Sequence, residues 1–173
     1  MQKTPTYNQR IADMTEQMIA SRKQKLKNTF RSFMAYRMQN VCRKNGVNYI
    51  NDSKAENVNA TYFALQSIRK PVIWIAGGND FQVDYWELMA LVRKKVEAII
   101  MIGSENERLI HIFSPVISNM YEVNDMKEAV RLAKQIAEEG ASVLLSPACK
   151  PDERFADYQD RGERFKEAVI KEI

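Results

Sequence analysis

Three short segments hold the residues whose types and spacing suit chemistry on an anionic ligand. They are Asn51-Asp52-Ser53-Lys54-Ala55-Glu56-Asn57, Gly77-Gly78-Asn79-Asp80 and Ser146-Pro147-Ala148-Cys149. An aspartate, a hydroxyl and a lysine just ahead of a helix suit an anion, because a helix N-terminus offers free N–H groups and the positive end of its dipole. Asp52 or Ser53 would equally serve as a simple helix cap, and the residues alone leave both readings open. Gly77-Gly78 at a strand end lets the backbone turn sharply and approach a ligand or another chain.

The elements that must carry these segments are legible from periodicity. A helix from 7 to about 22 shows a stripe of Ile11, Met14, Met18 and Ile19, and a second, from about 23 to 33, places Leu26, Phe30 and Phe33 on one face. Val41 to Lys44, Asn45-Gly46 and Val47 to Ile50 read as strand, two-residue turn and strand, since Asn-Gly accepts positive φ at both turn positions. Strand and helix then alternate, with strands at 47–51, 71–76, 97–102, 119–122 and 142–146. Helices are expected near 55–69, 83–95, 105–113, 125–139 and 159–172. Runs such as Val72-Ile73-Trp74-Ile75-Ala76 are apolar without alternation, as in parallel strands covered on both faces. The pattern predicts an α/β fold: a doubly wound, mostly parallel Rossmann-like sheet with one antiparallel strand, preceded by two helices. The domains expected are 1–36, a helical pair, and 37–173, the sheet. In such a sheet ligands bind at the carboxyl ends of the strands, where all three segments fall.

Composition narrows the function classes. No apolar run reaches the roughly 18 residues of a membrane span, and the N-terminus has no apolar signal core, so a cytoplasmic protein without a membrane partner is expected. Cys42, Cys149 and His111 show no ligand spacing, so no metal is expected and the thiols are read as reduced. His111 lies between apolar neighbours without a legible acid or nucleophile and reads as structural. Residues 1–46 carry a net charge of +8 and the remainder −4. The cations Arg22, Lys23, Lys25, Lys27 and Arg31 lack interleaved aromatics, so they read as a solvated helix face and no nucleic-acid partner is expected.

Together with Asn57-Val58-Asn59-Ala60-Thr61 and Asp160-Arg161-Gly162-Glu163-Arg164-Phe165-Lys166, the three segments resemble the carboxyl-terminal domain of Mur ligases. Within that family the likeness is to the branch that adds D-glutamate to UDP-N-acetylmuramoyl-alanine in peptidoglycan synthesis. It covers roughly residues 25–173, and residues 7–33 resemble more loosely the last two helices of the ligase central domain. The resemblance implies an ATP-dependent ligase that phosphorylates a substrate carboxylate and lets an amine attack the acyl phosphate. It implies ATP and substrate roles for Arg37, Asp52, Ser53, Lys54 and Tyr158, the last an aromatic where the family has Phe.

Several positions depart from the family pattern. Tyr36 stands where the family has a histidine, Glu56 where it has threonine, Phe81 where a lysine grips the D-glutamate carboxylate, and Pro151 where a serine binds its side chain. No glycine precedes a lysine, so a Gly-Lys-Ser/Thr phosphate loop is absent from these residues. These departures predict no catalytic residues, no cofactor and no solitary catalysis. They gather on one expected rim: Met34, Tyr36, Glu56, Asn79, Phe81, Gln82, Tyr85, Trp86, Lys150, Pro151 and Asp152. Aromatics in a polar surround have the composition of a protein-binding hot spot. The expectation is a noncatalytic, engineered module that binds a protein partner, or a second copy of itself, through that rim; Met120 could join it. The alternative is an excised ligase domain that keeps partial ATP or UDP-sugar binding.

Overall fold

The computed structural model describes residues 7–78, 83–103 and 106–173, and the chain divides into two compact units, 1–35 and 36–173. In the first unit a single helix, α1 (Tyr7–Met34), replaces the two helices expected. No glycine or proline interrupts 7–34, so nothing stops the helix at the Arg22-Lys23 pair where its apolar stripe is diluted. Met14, Met18, Ile19 and Leu26 are exposed along it.

In the second unit β1 (Gln39–Lys44) and β2 (Val47–Asn51) form the expected antiparallel hairpin. Asn45 and Gly46 take φ of 50° and 77°, the left-handed conformation that the turn demands. The alternation continues through α2 (Val58–Ser67), β3 (Val72–Ala76), a 3-10 turn (Trp86–Leu88) running into α3 (Met89–Lys95), and β4 (Val96–Ile102). It closes with α4 (Glu107–Phe113), β5 (Met120–Val123), α5 (Met126–Ile136), β6 (Ser142–Leu145) and α6 (Tyr158–Glu172). The strand order is β1-β2-β6-β3-β4-β5, with every pair after the hairpin parallel. The mostly parallel α/β sheet is therefore as the sequence indicates.

Side-chain alternation sends each strand's apolar residues to two cores. Ile73, Ile75, Ile100 and Val143 meet Ala129 and Val130 of α5 and Phe165 and Val169 of α6 on one face. Val72, Trp74, Ile99 and Leu144 meet Leu65 of α2, Val92 of α3 and Phe113 of α4 on the other. α2, α5 and α6 start on side-chain caps: Asn57, Asp125 and Asp157 accept from the backbone N–H of Ala60, Glu128 and Asp160. Such a cap contributes about 1 kcal/mol and fixes where the chain stops being a loop. Neither Asp52 nor Ser53 caps α2; Asn57 does, and the helix begins at Val58 rather than near Ala55. β2, β6 and β3 are neighbours, so the loops that follow them, which hold the three segments, emerge side by side.

A candidate binding site at the strand ends

The loop after β2 is built inward before it faces outward. Asn51 is fully buried; its amide oxygen accepts from the Ser53 N–H at 3.1 Å, and its amide nitrogen lies 3.3 Å from Gln39 Oε1 and 3.4 Å from the Gly162 carbonyl. Asp52 is buried too, and both its carboxylate oxygens are occupied. Oδ1 accepts from the Met38 N–H at 3.0 Å and Oδ2 from the Ser146 hydroxyl at 2.9 Å. Burial pushes the Asp52 carboxyl up to about 6, against the opposing pull of those two hydrogen bonds and of the Arg37 charge. Ser146 belongs to a buried chain of polar groups, its hydroxyl 2.9 Å from that of Thr61 and its carbonyl accepting from the Trp74 indole at 2.7 Å. Asp52 therefore welds β2 to β6 and to the start of β1.

Arg161 joins the first and third loops from beneath. It sits on the inward face of α6, four residues before Phe165 and eight before Val169, and is almost fully buried. Its guanidinium donates to the Ser53 carbonyl at 2.9 Å and to the Cys149 carbonyl at 3.2 Å, while Nε makes no hydrogen bond. Burial pulls the guanidinium below its ordinary value, with the carboxylates of Glu56 and Asp152 opposing the shift. The next residue, Gly162, has no room for a side chain: a Cβ there would lie 2.4 Å from the Ser53 hydroxyl and 2.6 Å from the Tyr36 ring.

The groups that do reach solvent are fewer. Arg37 is exposed, while Lys54 and Tyr158 are half-buried. The Lys54 ammonium lies 5.1 Å from the centre of the Tyr158 ring, and the Tyr36 ring meets Tyr158 edge-on at 5.8 Å. Tyr36 takes a φ of 63° and donates its hydroxyl to Glu163 at 2.5 Å, a bond that raises its phenol to about 12. Lys166 and that hydroxyl hold the Glu163 carboxyl below the usual range. Lys150 is exposed; Glu56, Pro151 and Asp152 are half-buried, and the Asp152 carboxylate is bound to the Arg154 guanidinium. The solvent-facing groups thus offer cations at Arg37, Lys54 and Lys150 and an acidic group at Glu56, with Asp152 already paired to Arg154.

The aromatic part of the expected rim needs correction. Tyr85 is completely buried, its ring 6.1 Å from that of Phe113 in the core beneath α4. Trp86 is the displayed residue, 64% exposed, and the Asp84 carboxylate fixes the turn by accepting from its N–H at 3.1 Å. Asn79, Phe81 and Gln82 lie outside the described residues. Met34 is exposed but belongs to the first unit, whereas Met120 is half-buried on β5. His111 is exposed on α4. Among the described residues no three His, Cys, Asp or Glu side chains come together as a metal site. No helix among them is long and apolar enough to cross a membrane.

The family model of the Mur ligase glutamate ligase domain matches residues 36–149. The UDP-N-acetylmuramoylalanine--D-glutamate ligase of Christiangramia forsetii is 43% identical over 164 residues, 94% of this chain and 37% of that protein. The chain belongs to the Mur ligase family. The corresponding enzyme of Bacteroides fragilis is 38% identical over 94% of the chain and 37% of its own length. That of Porphyromonas gingivalis is 44% identical over 78% and 30%. This Mur ligase chain thus spans 30–37% of the length of these curated relatives. Among solved structures, a murein peptide ligase from Psychrobacter arcticus superposes with a TM-score of 0.55 at 11% identity, over 80% of this chain and 31% of that one. MurF from Acinetobacter baumannii gives 0.54 at 11%, over 78% and 30%. At such identities the two share the fold.

Of the five positions to which the family resemblance gives ATP or substrate roles, the geometry separates two groups. Asp52 and Ser53 are buried inside the loop, whereas Arg37, Lys54 and Tyr158 reach the surface of this Mur ligase domain. Sequence reasoning overlooked Arg161 and Ser146 as organising residues. An arginine in step with Phe165 and Val169 on an apolar helix face was the available signal for the first. Nothing local distinguishes Ser146.

Proposed function

We propose that this Mur ligase-family domain keeps the frame of a D-glutamate-adding ligase while having lost its grip on D-glutamate, and that its strand-end rim serves to bind a protein. The observation that carries the reading is electrostatic. The side chains bordering the strand ends beside Arg161 include the carboxylates of Glu56 and Asp152, and Pro151 offers neither a hydroxyl nor an N–H. Asp152 is paired with Arg154, so Glu56 is the carboxylate that a dicarboxylate amino acid meets there, and Phe81 cannot form the ion pair that the family lysine makes. An ionic contact removed with its partner left unpaired costs about 3–5 kcal/mol of binding, and each hydroxyl hydrogen bond to a charged group that is lost adds about 1.5–3 kcal/mol, which together leave negligible affinity. The concentration of the changes at Tyr36, Glu56, Phe81 and Pro151, against an intact frame of Asn51, Asp52, Ser146 and Arg161, fits a surface rebuilt by engineering or divergence.

A second reading has its own support. The 43% identity to the Christiangramia forsetii ligase over nearly the whole chain, with Arg37 and Lys54 solvent-facing, fits a ligase segment that still meets ATP or a UDP-sugar. Isothermal titration with D-glutamate and with ATP separates the two. The proposed function expects no saturable heat from D-glutamate, whereas micromolar binding of either compound supports the ligase reading.

A further inference from the structure

Beside the strand ends, a groove of about 650 Å³ opens between the 3-10 turn and α4. Val83 and Ile112 line it, with Trp86, 64% exposed, supplying an indole. An aromatic of this size is not left in solvent by accident of a loose loop. Tyr85 anchors the turn in the core against Phe113, and Asp84 accepts from the Trp86 N–H, so the two residues before it fix the backbone that presents the indole.

The groove's charges say what it would receive. Asp84 and Glu107, both exposed, line it, and Glu87 follows Trp86 on the same turn. Its basic residues are His111 and Arg108, and Arg108 donates Nη1 to the Val83 carbonyl at 3.2 Å and is thereby turned toward the backbone. An indole face attracts a cation through its quadrupole, most strongly a guanidinium that can stack on it, and flanking carboxylates add ion pairs. We infer that this groove binds an arginine-bearing segment of a protein partner, the arginine stacked on Trp86 and paired with Glu107 or Asp84. The inference rests on the partner-binding reading and names the partner's chemistry.

The test uses the whole chain and a short synthetic peptide of alternating arginine and alanine, with the glutamate–alanine peptide as control. Trp74 is buried and Trp86 exposed, so a saturable change in tryptophan emission reports the groove. The arginine peptide is expected to bind and to weaken as salt rises. By isothermal titration, Trp86→Ala and Glu107→Gln should each lower the affinity, the first about tenfold or more, with thermal unfolding little changed because both side chains are exposed. Equal binding of the glutamate peptide, affinity indifferent to both substitutions, or self-association of the chain in place of peptide binding overturns the inference. A chain that takes neither the arginine peptide nor D-glutamate removes this inference and leaves the loss of D-glutamate binding standing. A chain that binds D-glutamate removes that reading, and the peptide titration still decides the groove.

Discussion

Asp52 shows how a residue with a family ligand role can be occupied by architecture. Its two oxygens hold Met38 and Ser146, and its carboxyl is raised to about 6 because the charge is buried. A folded-state value above the unfolded one near 3.8 means the native state holds the proton more tightly. The stability this group contributes is full below pH 4 and is lost as pH rises through 6, a change of about 3 kcal/mol by linkage. Asp52→Asn keeps the geometry, since the amide oxygen accepts from Met38 and the amide nitrogen donates to the Ser146 hydroxyl. Urea unfolding at pH 4 and pH 7 should therefore show Asp52→Asn more stable than the parent at neutral pH, with the gap closing in acid. A gap that widens in acid contradicts the assignment. Gly162 and Arg161 belong to the same architecture: one clears space for the loop, the other ties its carbonyls.

At the scale of elements, adjacent residues at the start of the 3-10 turn divide their labour. Tyr85→Ala should cost about 3–5 kcal/mol because it opens a cavity against Phe113, whereas Trp86→Ala should stay within about 0.5 kcal/mol. Thermal melts of the two variants check this, and a large loss in Trp86→Ala would place the indole in the core. The sequence did not reveal which of the pair turns inward, because neighbouring aromatics in a short helical turn carry no periodicity long enough to settle a face. By contrast the strands were legible: Val72 to Ala76 and Val96 to Ile102 have the unbroken apolar character of a doubly covered sheet, and Asn45-Gly46 marks the hairpin. α1 runs through the boundary expected near 22–23 because no breaker residue stands there. The start of α2 was misplaced for the opposite reason, since Asp52, Ser53 and Asn57 are all capping types and only the fold chooses among them. The buried Asp52–Ser146–Thr61 chain was not legible at all, because its members are 9 to 94 residues apart and meet only after the sheet assembles.

For the molecule as a whole, both hydrophobic cores are made, among the described residues, from 38 and beyond. A chain shortened to 36–173 should therefore unfold in one cooperative transition, followed by near- and far-ultraviolet circular dichroism; a molten, non-cooperative product would show that α1 completes the core. The central claim is that Mur ligase scaffolding persists here without recognition of D-glutamate. Its most direct test replaces the matching domain of the Christiangramia forsetii ligase with residues 36–173, so that the rest of a ligase surrounds this site, and measures ADP release driven by D-glutamate. The exchange is expected to abolish that release, and Glu56→Thr, Phe81→Lys and Pro151→Ser together are expected to restore part of it. Turnover by the unreverted chimaera at a rate near that of the parent ligase would contradict the account.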